Sequence, residues 1–234
     1  RLTLSPDPPD ISTILARISG LLDASITGLR IDEGGPDPID LSKINFEALA
    51  QRFRDSQHKN TDLETLKVAI RVKLDGLLRL NRTRVDFAET FEALINSYNA
   101  GSRSIEQLFE ELLALSHNLN DEQQRHVREN LTEEELVIFD ILTRPAPELN
   151  TDERAEVKKV AHELLTRLKQ LLVLNWRQKA AARAALKMAI EETLDTGLPR
   201  AYEKPLFDQK CAAVFEHVYE SYPERHVGVY AEVA

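Results

Sequence analysis

The chain has 234 residues with a formal charge of −9, 42% hydrophobic and 29% charged residues, the balance of an ordinary globular protein large enough for one big or two small domains. One cysteine, Cys211, excludes an internal disulfide or a cysteine zinc cluster and fits a reducing cytosol, so a cytoplasmic location is expected. No apolar run approaches the ~18 residues of a membrane span, the N-terminus lacks a signal-peptide core, and opening on Arg1 the chain reads as a piece of something longer.

In chain order, the breakers LSPDPPD (4–10) and DEGGPDPID (32–40) flank a short helical pattern over 11–23. Residues 1–41 read as a lead-in segment or linker, and 42–234 as a helical domain, with possible sub-bundles 42–149 and 150–222. Ser42 is placed to cap a helix reaching about Asp55. Thr61-Asp-Leu-Glu64 has the form of a capping box, ahead of Leu63, Leu66, Ile70, Leu74 and Leu77 at spacings of three and four. A helix over 85–98 is broken by AGS at 100–102. A second box, Ser104-Ile-Glu-Gln107, opens a helix through Leu115, and the polar stretch 119–130 is expected to be an exposed helix. Thr132-Glu-Glu-Glu135 is a third box, and Asn150 starts a long helix. Helices over 175–195, with Asn175 as N-cap, and about 203–221 complete the set. Period-two alternation is absent, so the fold class is all-α, a bundle of about eight helices with no significant sheet.

The helix placed at 175–194 carries the sole tryptophan. On a wheel, Trp176, Lys179, Arg183, Leu186, Ile190 and Leu194 form one seam. Ala180, Ala181, Ala184, Ala185 and Met188 lie opposite, which predicts a central helix with neighbours on two sides. Two readings remain open for Trp176, Lys179 and Arg183. One is a core seam with cations snorkelling to its edge; the other is a partner-binding or phosphate-contacting face.

Catalytic motifs are missing: there is no phosphate loop, dinucleotide fingerprint or nucleophile elbow. NDEQQR (120–125) has the look of a helicase acidic box but lacks the preceding apolar strand. Glu156-Val157-Lys158 fits a nuclease E-x-K only inside a helix, where that chemistry wants a strand. The six histidines show no metal-ligand spacing. His117 and His162 are expected at helix surfaces and His217 half-buried. Cys211 follows Lys210, which would lower its pKa modestly, although a small buried thiol is the commoner case. The acid-rich run 129–135 reads as a solvated helix start. No catalytic, cofactor-binding or metal residue is therefore named.

Charge is strongly segregated. Residues 42–84 hold ten Lys/Arg against five Asp/Glu, and residues 85–149 hold four against fourteen. Within the basic block, Lys59, Lys67, Arg71, Arg79, Arg82 and Arg84 are the candidate contacts to DNA or a partner. The simpler account is a solvated face paired with the acidic block, and no aromatic platform interleaves with these cations.

The segments IDLSKINFEALAQRF, HKNTDLETLK, LNRTRVDFAETFEALINSYNAGS, NLTEEELVIFDIL, ERAEVKKVAHELL, LNWRQKAAARAALKMAIEETLDTGLPRAY and CAAVFEHVYESY together resemble the C-terminal helical domain of the restriction (R) subunit of type I restriction–modification enzymes. The resemblance covers roughly residues 38–222; residues 1–37 depart from it and read as the lead-in from an upstream motor domain. It implies a non-catalytic assembly domain that docks the R subunit onto the methyltransferase core, with the methylation subunit as partner. The alternative is a helical module following duplex phosphates through 42–84. It also implies a parent that is a type I site-specific deoxyribonuclease and ATP-dependent translocase, with ATP and magnesium bound upstream. Neither a membrane nor a small-molecule substrate is expected.

Overall fold

The computed structural model of the chain describes residues 46–223 and 229–230. The expected Ser42 cap and the 11–23 helix lie outside them. The described residues form nine α-helices and no strand: α1 (Phe46–Asp55), α2 (Lys59–Leu80), α3 (Val85–Asn99), α4 (Ile105–Gln123), α5 (Arg125–Arg128), α6 (Glu133–Thr143), α7 (Thr151–Leu171), α8 (Ala180–Gly197) and α9 (Lys204–Ser221). A 3-10 turn, Arg82–Arg84, links α2 to α3.

Local chemistry sets several helix ends. At α4 the Gln107 amide donates to Ser104 Oγ (3.2 Å) and the Ser104 amide donates to Gln107 Oε1 (2.9 Å). Thr132 with Glu135 and Asn150 with Glu153 make the same reciprocal pairs at α6 and α7, so each satisfies two otherwise orphaned amides. The box expected at Thr61 is not made. Asp62 N–H already donates to His58 O (3.1 Å), which places Thr61 inside the first turn, while Ser56 Oγ accepts from His58 N–H (3.0 Å). Gly101, at φ 74°, ends α3, with Ser102 N–H reaching back to Ser97 O (3.0 Å). Asn130 does the same work after α5, at φ 54° with Leu131 N–H donating to His126 O (2.9 Å). Both are left-handed closures that glycine or asparagine tolerates best.

The chain divides into two compact units, the first comprising residues 46–74 and Phe87–Asp121, the second comprising Asp75–Asp86 and the described residues from Glu122 onward. In the first, Phe53, Leu63, Leu66, Ile70, Leu74, Phe91, Leu108, Phe109 and Leu112 are buried, and Phe53 stacks on Phe109 with centroids 3.6 Å apart. The second has one apolar core running from Leu136 and Phe139 of α6 through Val157, Leu164 and Leu168 of α7, Leu186 and Ile190 of α8, and Val214 and Val218 of α9. That core runs across residue 150, joining helices on either side of it. Gly197 sits at the α7–α8 contact, where a built Cβ would lie 2.6 Å from Val160 Cγ2.

Two expectations need correction. The stretch 119–130 is not a free polar helix: Leu119 and Glu122 are buried, and α4 continues to Gln123 before the short α5. Nor does a helix begin at Asn175. That residue takes φ 54°, residues 174–178 are turn, and α8 starts at Ala180 with Lys179 as its cap. Spacing alone carries Trp176 onto the wheel; the left-handed turn takes it off. The α8 face expected to meet a second neighbour is open, with Ala180, Ala181, Ala184 and Ala185 exposed and Met188 59% exposed.

Candidate functional site

The structure divides the basic block of the sequence. Lys59, Lys67 and Arg71 belong to the first unit, while Arg79, Arg82 and Arg84 belong to the second. Lys59 Nζ pairs with Glu106 Oε1 (2.9 Å), and that hydrogen bond holds the Glu106 carboxyl below its ordinary range. Lys67 pairs with Glu64 (2.7 Å), and the Arg71 guanidinium lies 5.8 Å from the Phe91 ring centroid. In the second unit Arg82 pairs with Glu220 (2.6 Å), and Arg79 is exposed on the last turn of α2.

Arg84 overturns its sequence reading. Proposed there as a surface contact, its side chain is 1% exposed, with Nε 2.9 Å from Glu122 Oε1 and Nη1 2.5 Å from Glu133 Oε1. The chain supplies the rest of a buried network. Arg125 engages Asp140 through both terminal nitrogens, with Nη1 donating to Oδ1 at 2.8 Å, and its Nε donates to Glu122 (3.0 Å). Asn81 Nδ2 donates to Asp140 Oδ2 (2.7 Å), and Thr83 donates through its amide and hydroxyl to Asn81 Oδ1. Burial works against the Arg125 charge, but Asp140 and then Glu122 outweigh it and hold the guanidinium above its ordinary pKa. Arg125 on Asp140 makes the forked arrangement that permits ionised groups to be buried at all, while Arg84 Nη2 is buried without a hydrogen-bond partner. The run 129–135 is thus only partly a solvated helix start, since Glu135 is buried and Glu133 serves this network. Arginine count alone could not separate Arg84 from its exposed neighbours; the signal was the acidic block downstream.

Trp176, Lys179 and Arg183 also part company. Trp176 is fully buried, with Nε1 donating to Tyr222 O (2.9 Å) and its ring edge-on to Tyr219 at 5.7 Å. It is a core anchor that enters from a turn. Lys179 is exposed and Arg183 half-buried, with Arg183 Nη1 donating to Arg177 O (2.6 Å).

Sequence reasoning missed what surrounds them. Arg177, Arg183, Phe215, Glu216 and Tyr219 line a cleft of about 450 Å³. The Arg177 guanidinium lies 5.0 Å from the Tyr219 ring centroid, and Lys187 Nζ lies 4.8 Å from that of Phe215. Arg177 Nη2 donates to Glu220 O (3.0 Å); its Nε is buried without a hydrogen-bond partner. The available signal was the row Arg177, Lys179, Arg183, Lys187.

Cys211, Lys210 and His217 are held within the fold. Burial, with Glu191 and Asp208, pushes the Cys211 thiol up to about 11. Lys210 does not activate it, because its Nζ is committed to Ile141 O (2.8 Å) and Arg144 O (2.7 Å). His162 lies at a helix surface, as expected, beside Glu135 (2.5 Å). Burial pushes His217 down to about 4. Its Nδ1 faces Ser221 Oγ and its Nε2 faces the Tyr230 hydroxyl, each at 3.2 Å, and that hydroxyl donates to Leu80 O (2.8 Å). A neutral imidazole protonated on Nε2 satisfies all of these contacts. Among the described residues, no group of three or more His, Cys, Asp or Glu could hold a metal ion, and no helix is long and apolar enough to cross a membrane.

Comparison with known proteins yields no matching solved structure. The chain is 23% identical over 152 residues to the type I restriction enzyme HindI endonuclease subunit of Haemophilus influenzae, covering 63% of this chain and 14% of that relative. It therefore spans about a seventh of that protein's length. A family model described as type I restriction enzyme HindI endonuclease subunit-like, C-terminal, matches residues 13–223, reaching further upstream than the resemblance seen from residue 38. The helical chain with its buried arginine network thus belongs to the family of C-terminal regions of HindI-like type I restriction endonuclease subunits.

Proposed function

We propose that the chain is the non-catalytic assembly domain of a type I restriction endonuclease (R) subunit, docking that subunit onto the methyltransferase core of a cytoplasmic complex. The parent subunit is then a site-specific deoxyribonuclease and ATP-dependent translocase, with ATP and magnesium handled by upstream domains. The observation that carries this over a phosphate-following role for 42–84 is the fate of the basic block. Lys59, Lys67, Arg82 and Arg84 are all held by carboxylates of this chain, which leaves little unspent charge there for DNA.

The test is co-purification of the chain with a methylation subunit. The wild-type chain and the Lys67→Gln/Arg71→Gln variant should both form the complex, and neither should hydrolyse ATP or nick DNA with magnesium. Failure to assemble at micromolar concentrations refutes the docking role. Turnover that follows the chain through purification refutes the non-catalytic one.

A further inference from the structure

We propose that the cleft beside α8 is a phosphate-binding site that tracks the backbone of duplex DNA, a contact separate from docking and from the basic block. Three cations gather there and a fourth stands next in the row: Arg177 and Arg183 line the cleft, Lys187 covers its Phe215 wall, and Lys179 is the exposed N-cap residue of α8, four positions before Arg183. Among the described residues, none of the four makes an ion pair with a carboxylate of this chain. That is the reverse of the 42–84 block, where the paired cations are neutralised internally. Glu216 is the one carboxylate in the lining, so the cleft is a cationic spot on a protein of net charge −9.

The placement works against local stability. Lys179, Arg183 and Lys187 recur every four residues from the N-cap of α8, where like charges repel across one turn and the helix dipole disfavours Lys179 and Arg183. No acidic residue occupies the first turn, and no side chain caps it. A helix N-terminus ringed by guanidinium and ammonium groups gains only when an anion is supplied. Four residues of helix advance about 6 Å, so the row presents charges at regular intervals along a line. A linear polyanion matches such a row better than scattered carboxylates on a protein surface. The aromatic walls argue against base recognition, because Arg177 lies over Tyr219 and Lys187 over Phe215, which leaves these rings poorly placed to stack bases. Phosphates of a duplex are therefore the ligand.

The test is fluorescence anisotropy of a labelled 20-base-pair duplex with the 234-residue chain, titrated against salt. Among the described residues the side chains of Lys179 and Lys187 make no hydrogen bond, so Lys179→Gln/Lys187→Gln should keep the wild-type circular dichroism and a thermal midpoint at or above that of wild type. It should weaken duplex binding at least about tenfold and flatten the log–log salt slope by about two. Arg183→Gln should weaken binding as well, whereas Lys67→Gln/Arg71→Gln should bind like wild type. Absence of duplex binding at low salt overturns the proposal, and so does a folded Lys179→Gln/Lys187→Gln variant with wild-type affinity. Equal displacement of duplex by polyglutamate of matched charge overturns it in favour of an acidic protein. Loss of methylation-subunit assembly in the same variant assigns the cleft to docking and likewise overturns it.

Discussion

Arg84→Ala separates a buried strut from a surface contact, and the structure fixes the scale of its effect. The side chain is 1% exposed and faces Glu122 and Glu133, themselves 7% and 12% exposed. Among the described residues, removing it leaves Glu122 with Arg125 (2.9 Å), but Glu133 keeps only His126 at 3.4 Å. Breaking a buried pair from one side costs about 3–5 kcal/mol, because the surviving charge stays desolvated; a surface arginine would cost about 0.5 kcal/mol or less. Urea unfolding followed by the emission of Trp176, the sole tryptophan, reads the unit in which both residues sit. With a slope of about 2 kcal/mol/M, the midpoint should fall by about 2 M. Arg84→Met with Glu133→Gln, which removes the charge from both sides and keeps the volume, should recover much of that loss. A midpoint shift of only a few tenths molar for Arg84→Ala would refute the reasoning.

Trp176→Ala should cost about 3–5 kcal/mol, as large core truncations do, and the native chain should show blue-shifted emission; a solvent-like maximum contradicts the burial. Gly197→Ala drives a Cβ to within 2.6 Å of Val160, a buried side chain held between α7 and α8, and should lower stability by about 1–3 kcal/mol. A neutral or stabilising result in chemical denaturation would mean that the two helices separate easily. His217, enclosed by Ser221, Tyr230, Arg82 and Glu134, is held at about 4 against an ordinary 6.5. The unfolded chain therefore binds the extra proton first. The contribution of His217 is complete above pH 6.5 and is lost as pH falls through 4, up to about 3 kcal/mol. Urea midpoints at pH 7, 5.5 and 4.5 should fall less steeply for His217→Asn than for wild type; parallel curves contradict the assignment.

Helices were legible wherever side chains near in sequence decide the outcome. Ser104 with Gln107, Thr132 with Glu135, and Asn150 with Glu153 announce their helix starts because each bond spans three residues. Thr61 failed as a cap because the helix has already begun at Lys59, with Asp62 N–H bonded back to His58 O. Asn175 failed because apolar spacing carries no record of a single left-handed residue. The open alanine face of α8 was misread because alanine suits both a close helix crossing and a bare surface. For charges, the reading was correct in kind and wrong in place. Intramolecular pairing of the basic block was foreseeable from segregation, but Arg84 meets Glu122 and Glu133 across distances in sequence that no local pattern encodes. Of the cleft at Arg177 only the basic row showed in the sequence, because Phe215 and Tyr219 come from a different helix.

The second compact unit is built from two separate stretches of chain, with Asp75–Asp86 contributed from before Phe87–Asp121. Arg84 and Glu122, 38 positions apart in sequence, close the second unit on itself from either side of Phe87–Asp121, a stretch that folds into the first. A chain cut to begin at Glu122 therefore loses more than the first unit, since it discards Asn81 and Arg84 and strands Glu122, Glu133 and Asp140 with half their partners.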